Sequence, residues 1–435
     1  MKYFFALCLM SAPLAGQERS PVPAVAQPLT LRALLDTVAA SHPLLRAASA
    51  RTRAAQGARI TAGALGNPVL SYQSDRASSA GGTAPSGDDH EIMTTLTLPL
   101  EAIYQRGPRV SAADATVRAA EADADGVRQR TALDAVDAYY RTALAQVAVA
   151  TARDLSAWLD TLVAYNRVRA TEGVTAEADL LRSQLERDRA AADATMQEVE
   201  LARARNALAA FLGDPRQITL AVVAVSDRSL PADLALAENA TPYALELRPD
   251  LRAAQSRADA ARAAATGERT MIFRQLAATI GTQRMMGSTS LVAGVSLPLP
   301  LFDINRGEIR RASAERDAAQ FDFAAAERAA SADVIGAREV ARLLTDRTTL
   351  LTADGASGFL ARADEARRIA LGAYREGAVP LLTVLDAARA WGDGRMTFYR
   401  TLYAQHESVL TLLAARGVDL FANLPVPPDS GARNR

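Results

Sequence analysis

Among its 435 residues the chain has one cysteine, Cys8, and one lysine, Lys2, and aromatic residues make up only 5% of it. Cys8 lies within the short apolar run Tyr3–Met10, which follows a positive start and precedes the small residues Ser11 to Gly16. That order reads as a secretory signal segment over residues 1–16. Once it is removed, no thiol is left for a disulfide framework, a cysteine metal site or a thiol nucleophile. The formal net charge is zero, so the electrostatic footprint of a nucleic-acid binder is missing. The low aromatic content, set against abundant Ala, Arg, Asp and Glu, excludes a bulky globular enzyme core and favours long packed helices. No later segment is apolar and long enough for a membrane-crossing helix. If the chain crosses a membrane, strands must do it.

Proline and glycine are scarce where they would interrupt helices. Between Pro108 and Thr171 the only such residue is Gly126. Apolar residues Val127, Leu133, Val136, Tyr140, Leu144 and Val147 recur there at threes and fours, the spacing of a packing stripe. The stretch 108–171 is therefore expected as one long helix, stopped by Glu172-Gly173-Val174-Thr175. A second helix is expected over 176–212. Its acidic first turn, Glu177 and Asp179, suits a helix N-terminus, and Gly213-Asp214-Pro215 ends it.

Strand text is brief and occurs twice. Val69–Ser74 and Ile92–Leu100 alternate apolar and polar residues around a Gly/Ser/Asp-rich loop at 75–89, giving a hairpin within 68–100. Leu276–Gln283 and Leu291–Leu297 alternate around a tight turn, giving a second hairpin within 276–298. Each hairpin leaves through Leu-Pro-Leu (98–100 and 297–299) and passes a glycine, Gly107 or Gly307, into helical text. Pro99, Pro298 and Pro300 lack the donors that would prolong strand pairing.

The landmarks recur at near-constant offset. Glu376-Gly377 follows Glu172-Gly173 by 204 residues, as Gly417 follows Gly213. A duplication is expected, with a Pro-rich lead at 17–28 and a first repeat at 29–213 that opens on a helix interrupted near Pro43. A connector at 214–247, with a short strand near 218–225, leads to a second repeat at 248–417. That repeat contains a helix to about 273, a long helix at 308–375 and a shorter one at 381–416. A disordered tail is expected at 418–435. The fold class is mainly α with a small β part: long helical hairpins plus β-hairpins, four strands per chain. Four strands cannot close a membrane barrel, since an open edge leaves backbone groups unpaired in lipid. Several copies must therefore share one barrel.

Pro249-Asp250-Leu251, the Leu-Pro-Leu exits with Gly107 and Gly307, and Tyr374-x-x-Gly377 with Val384-Leu385-Asp386-Ala387 resemble the outer-membrane efflux proteins of the TolC type. Gly294-Val-Ser-Leu-Pro-Leu-Pro-Leu-Phe-Asp303 is most similar to their CzcC-type heavy-metal branch. The resemblance covers nearly the whole mature chain. It implies a trimeric, twelve-stranded barrel in the outer membrane of a Gram-negative bacterium, continued by a periplasmic helical tunnel. Its partners would be a periplasmic adaptor and an inner-membrane RND pump, and its role a passive exit duct for heavy-metal cations. The same fold also serves drug or solvent efflux and type I secretion. A periplasmic coiled-coil scaffold without a pore is the reading from another class.

By the same resemblance, Gly173, Val174, Thr175, Gly377, Ala378 and Val379 form the periplasmic tip and adaptor-docking site. Asp179, Tyr374, Thr383 and Asp386 belong to the constriction, with Asp386 in a cation-favouring ring and Tyr374 as a latch. The chain departs from the family at Val379 and Thr383, where a latch would use other side chains. No cofactor is implied. His42, His90 and His406 lie on separate elements without metal-ligand spacing, and Asp88-Asp89-His90-Glu91 reads as a solvated loop tip. No nucleophile–base arrangement or phosphate loop is present, so the chain is expected not to be an enzyme.

Overall fold

The computed structural model describes residues 28–76, 90–174, 176–213, 223, 225, 230, 247–271, 276–285, 287–352 and 358–424. The expected signal segment, the lead up to 27, the loop 77–89, most of the connector and the last eleven residues lie outside them. The described elements run α1 (Leu31–Ser41), α2 (Pro43–Gly63), β1 (Val69–Arg76), β2 (His90–Pro99), α3 (Ala102–Thr171) and α4 (Glu177–Leu212). After the connector come α5 (Pro249–Thr270), β3 (Ala277–Met285), β4 (Ser288–Ser296), α6 (Arg306–Thr352), α7 (Gly358–Arg375) and α8 (Leu381–Ala415). None of the described helices is long and apolar enough to cross a membrane.

The 70 residues of α3 extend about 105 Å. The sequence places its start at Pro108, yet the helix begins at Ala102 and carries Pro108 inside. Tertiary contacts hold those first turns. Arg106 and Arg109 donate to the carbonyls of Gly63, Ala62 and Ala64 at the end of α2. Gly267 of α5 leaves only 3.4 Å between a Cβ at its position and Pro108 Cβ. The expected helix 308–375 is described as α6 and α7, on either side of residues 353–357, which are not described. Of the expected strand near 218–225, only Val223 and Val225 are described; Val223 forms an isolated parallel bridge with Leu29.

The four strands form one antiparallel sheet in the order β1-β2-β3-β4. Cross-strand register sorts the side chains into two faces. One carries Leu70, Leu96, Ile280 and Ala293 in a row, flanked by Tyr72, Thr94, Thr282 and Leu291 and by Leu98, Ala278 and Val295. The other carries Ser71, Thr95, Thr97, Thr279, Gln283 and Ser290, with the Thr97 and Thr279 hydroxyls 3.1 Å apart. The apolar face is open: Leu70, Leu291 and Val295 are each more than 70% exposed. Among the described residues, β1 and β4 are both unpaired on their outer edges.

Helices continue the sheet in the same lateral order. Near the strands α2 packs on α3, α3 on α5, and α5 on α6. Further along α3, its neighbours are α4 and α8, and α8 in turn packs on α6 and α7. Small alanines bring these helices close: Ala115, Ala119, Ala122, Ala132, Ala135 and Ala143 of α3 are all buried. The main core joins α1, α3, α4, α6 and α8 through Leu34, Val136, Tyr139, Leu208, Ala341 and Phe398. Interhelical ion pairs such as Arg257–Asp123, Arg252–Asp125 and Arg395–Asp154 line the exposed seams. Each contributes little stability at such exposure but fixes the register of the helices.

Candidate functional site

Two glycine-ended turns lie at the far end of the helices. Gly173 has φ +72° and Gly377 +77°, values that a Cβ disfavours. The α3 stop is a Schellman motif: the Gly173 N–H donates to Ala170 O (3.1 Å) and Val174 N–H to Arg169 O (2.9 Å). The stop of α7 repeats it, with Gly377 donating to Tyr374 O (3.0 Å) and Ala378 to Ala373 O (2.8 Å). Val174 and Ala378 are exposed, whereas Val379 packs on the core beneath the turns. Thr175 lies outside the described residues. That core draws on four helices: Leu159 and Leu162 of α3, Ala190 of α4, Tyr374 of α7, and Leu381, Val384 and Leu385 of α8.

Tyr374 joins the two turns. Its hydroxyl donates to Asn166 Oδ1 at 2.8 Å, a buried bond spanning 208 residues of sequence. Its ring meets Tyr165 edge-on at 6.2 Å, and Arg169 lies over both rings. Burial above all, and then the Asp179 carboxylate, raise the phenol above its ordinary range, while Arg169 opposes them. Asp179 therefore lies within electrostatic reach of Tyr374 from the first turn of α4. Asn166 Nδ2 is buried and has no partner. Sequence reading missed Asn166, since nothing local distinguishes it from any other helix residue.

Asp386 and Thr383 are exposed on α8. Arg389, one turn after Asp386, lies 3.7 Å from its carboxylate and donates more closely to Glu186 of α4. Two carboxylates thus share one guanidinium, leaving a net negative charge. Among the described residues, no group of three or more His, Cys, Asp or Glu could hold a metal ion. His90 and Glu91 project from opposite faces of β2: His90 Nε2 bonds the Ser74 hydroxyl at 2.9 Å and Glu91 accepts from Gln283.

At the strand–helix passage, Pro99 still pairs with Ala277, and Pro298 and Pro300 lie just beyond the end of β4. Gly107 and Gly307 both lie within helices, and neither has a positive φ. The left-handed residue is Asn305, with φ +63°. It is buried; its amide donates to Glu268 O (2.8 Å) and Oε2 (3.0 Å), and its carbonyl accepts from Ile309 at the start of α6. Asn tolerates that conformation better than most residues, which is the signal the sequence offered.

A second hidden node is Arg248. Its buried guanidinium binds Asp250 through two nitrogens, Asp333 at 3.1 Å, and the carbonyls of Ala330 and Ala415. Desolvation of Asp250 is outweighed by Arg248, so its carboxyl titrates below the usual aspartate range. The folded form thus holds a depressed pKa. Its stabilisation is present at neutral pH and is lost as the pH falls below about 4. Arg248→Gln is expected to cost roughly 2–3 kcal/mol, discounted for the half-exposed carboxylates. Melting of the detergent-solubilised protein at pH 7 and at low pH checks this: the gap between wild type and variant should narrow in acid.

The family model described as outer membrane efflux protein matches residues 34–214 and 241–418. CzcC of Cupriavidus metallidurans, a cobalt-zinc-cadmium resistance protein, is 26% identical over 395 residues, covering 89% of this chain and 90% of that one. The outer-membrane channel OprN aligns with a TM-score of 0.74 at 22% identity, covering 89% of each chain. The transmembrane channel CusC aligns with a TM-score of 0.74 at 20% identity, over 94% of this chain and 99% of CusC.

Proposed function

Given that this chain belongs to the outer membrane efflux protein family, we propose that three copies assemble into a passive exit duct for heavy-metal cations. It is an outer-membrane efflux channel, and the finer reading rests chiefly on its two-faced, open-edged sheet. An uncovered apolar face opposite a hydroxyl- and amide-lined one is the pattern of a barrel with lipid outside and water within. Three such sheets, edge to edge, give twelve strands and leave no edge unpaired. The flanking helices support this. Leu181, Leu185 and Met196 on α4, and Ile335, Leu343 and Leu350 on α6, are exposed apolar residues on the two lateral sides of the bundle. They suit burial between neighbouring copies.

The repeats 29–213 and 248–417 supply one hairpin and one helical stave set each, with 214–247 as the connector. Gly173, Val174, Thr175, Gly377, Ala378 and Val379 form the tip met by a periplasmic adaptor, which couples the duct to an RND pump that supplies the energy. Metal cargo is supported by the similarity to CzcC and by carboxylates along the route. Asp75 and Glu91 pair across β1 and β2 on the polar face, and Asp386 and Glu186 outnumber Arg389 near the tip. Deleting the gene is expected to lower tolerance to zinc, cobalt or cadmium. Lost tolerance to a drug panel alone would reassign the cargo to drugs on the same fold.

Asp386→Asn removes one charge per copy, three around the axis. Its expected result in planar bilayers is a reversal potential shifted toward weaker cation preference. An unchanged reversal potential and conductance would remove Asp386 from the constriction.

A further inference from the structure

The end of the polar face farthest from the helices departs from the hydroxyls and amides that dominate it. Register places Asp75, Glu91 and Met285 side by side in one row across β1, β2 and β3. Gln73, Met93 and Gln283 form the next row inward. Side chains directly opposite have Cβ atoms about 5 Å apart, and diagonal ones stay within reach of long side chains. The Gln283 amide crosses one such diagonal to donate to Glu91, while Gln73 donates to Asp75 at 2.8 Å. Both carboxylates are thus held by amides, and Arg284 of β3, in register with Ile92, stands on the apolar face. Like charges directly opposite each other destabilise a sheet, yet among the described residues Asp75 and Glu91 have no cation between them. The methionines are the second departure. Of the eight in the chain, Met1 and Met10 lie in the expected signal segment. Two of the other six, Met93 and Met285, stand in these rows, and Met286 follows in sequence. Met285 is 49% exposed, so its thioether gains little from burial; it is a soft donor set beside anionic oxygens.

We propose that Asp75, Glu91, Met93 and Met285 form a binding station for a soft cation at the outer mouth of the barrel. Thioether sulfur and carboxylate together favour a polarisable ion such as Ag+, Cu+ or Cd2+ over a hard one such as Ca2+. No group of three His, Cys, Asp or Glu occurs among the described residues, and this station needs none, because two of its four donors are sulfur. Glu91 is its hub, with Asp75 opposite on one side, Met285 opposite on the other and Met93 next on its own strand face. A cation held there removes the repulsion between the paired carboxylates. Neutral sulfurs keep the hold loose enough for release, as passage through a duct requires. The assignment rests on the reading of the polar face as the duct wall, and it narrows the chemistry of what passes.

The test titrates Ag+ into the detergent-solubilised oligomer labelled with carbon-13 at the methionine methyls. The Met93 and Met285 methyl resonances are expected to shift together and to saturate at a single ion per chain. Exposed Met196 on α4 is the internal control and should respond only at far higher Ag+. Glu91→Gln should weaken the binding at least ~10-fold, and excess Ca2+ should not reverse it. Met93→Leu and Met285→Leu nearly keep side-chain volume; they assign the resonances, and each should weaken the response of the remaining methyl. Methyls that stay still, or that shift only alongside Met196, overturn the station, and so does full displacement by Ca2+. Each of those results leaves the duct itself standing. Ag+ held at Met93 and Met285, in a protein whose deletion costs drug tolerance alone, would sink the metal-cargo reading and keep the station.

Discussion

Gly281→Val is expected to abolish the assembled channel while Thr279→Val, two residues earlier on the same face, leaves it intact. A Cβ at Gly281 falls 2.2 Å from Thr94 O and 2.8 Å from Thr95 Cα. Both are backbone atoms of the paired strand, so no rotamer change relieves the clash. Among the described residues the only ladder joining the first hairpin to the second is β2–β3. Forcing it apart splits the four-stranded unit in two, and the halves together then present four open edges to lipid instead of two. Thr279→Val keeps the shape and removes one hydroxyl bond to Thr97, worth about 1 kcal/mol. The measurement is the heat-modifiable oligomer on gels of outer-membrane fractions. It should vanish for Gly281→Val and persist for Thr279→Val; equal amounts of both would mean that the strand pairing is not what holds the barrel.

The second large effect is expected at the tip. Tyr374→Phe keeps the ring and its contact with Tyr165 but removes the donor to Asn166 Oδ1. Asn166, already carrying an unpartnered buried Nδ2, then has neither amide atom satisfied through this bond. Leaving a buried polar group unpaired costs about 1–3 kcal/mol. If the bond is made only in the closed tip, that cost shifts the balance toward the open state by roughly 5- to 150-fold. Single-channel recording should show the higher open probability. Because the phenol is raised rather than lowered, it stays protonated across neutral and mildly alkaline pH. The wild-type latch should therefore not titrate there. A variant that melts earlier yet conducts as wild type would reduce Tyr374 to a packing residue.

Much of this architecture was legible because it is written in periods. Alternation of apolar and polar residues marks the two hairpins at 68–100 and 276–298. The lack of proline and glycine marked α3. Paired glycines at 173/377 and 213/417 are left-handed chain stops, which is why the same residue type recurs at one offset. What stayed hidden depends on contacts made at long range. Pro108 was read as a helix start, but α2 and α5 hold the turns before it. Asn166 gains its meaning from a tyrosine 208 residues away. Arg248 looks like any arginine before Pro249 until four separate groups converge on it. The glycines at 107 and 307 drew attention to the strand–helix passage, whereas the conformational strain there falls on Asn305.

The most direct measurement concerns the open edges. In a Cys8→Ser background the chain has no thiol, so one cysteine at Ser71 on β1 and one at Ser290, Val292 or Gly294 on β4 give a clean test. All four positions lie on the polar face of the sheet, so one of the three pairs should come into register across a shared edge. Oxidation in intact outer membranes is expected to give, for that pair, a covalent ladder ending at three chains. Chains that stay monomeric for all three pairs, or that are recovered as soluble monomers, would contradict a barrel built by copies joining β4 to β1.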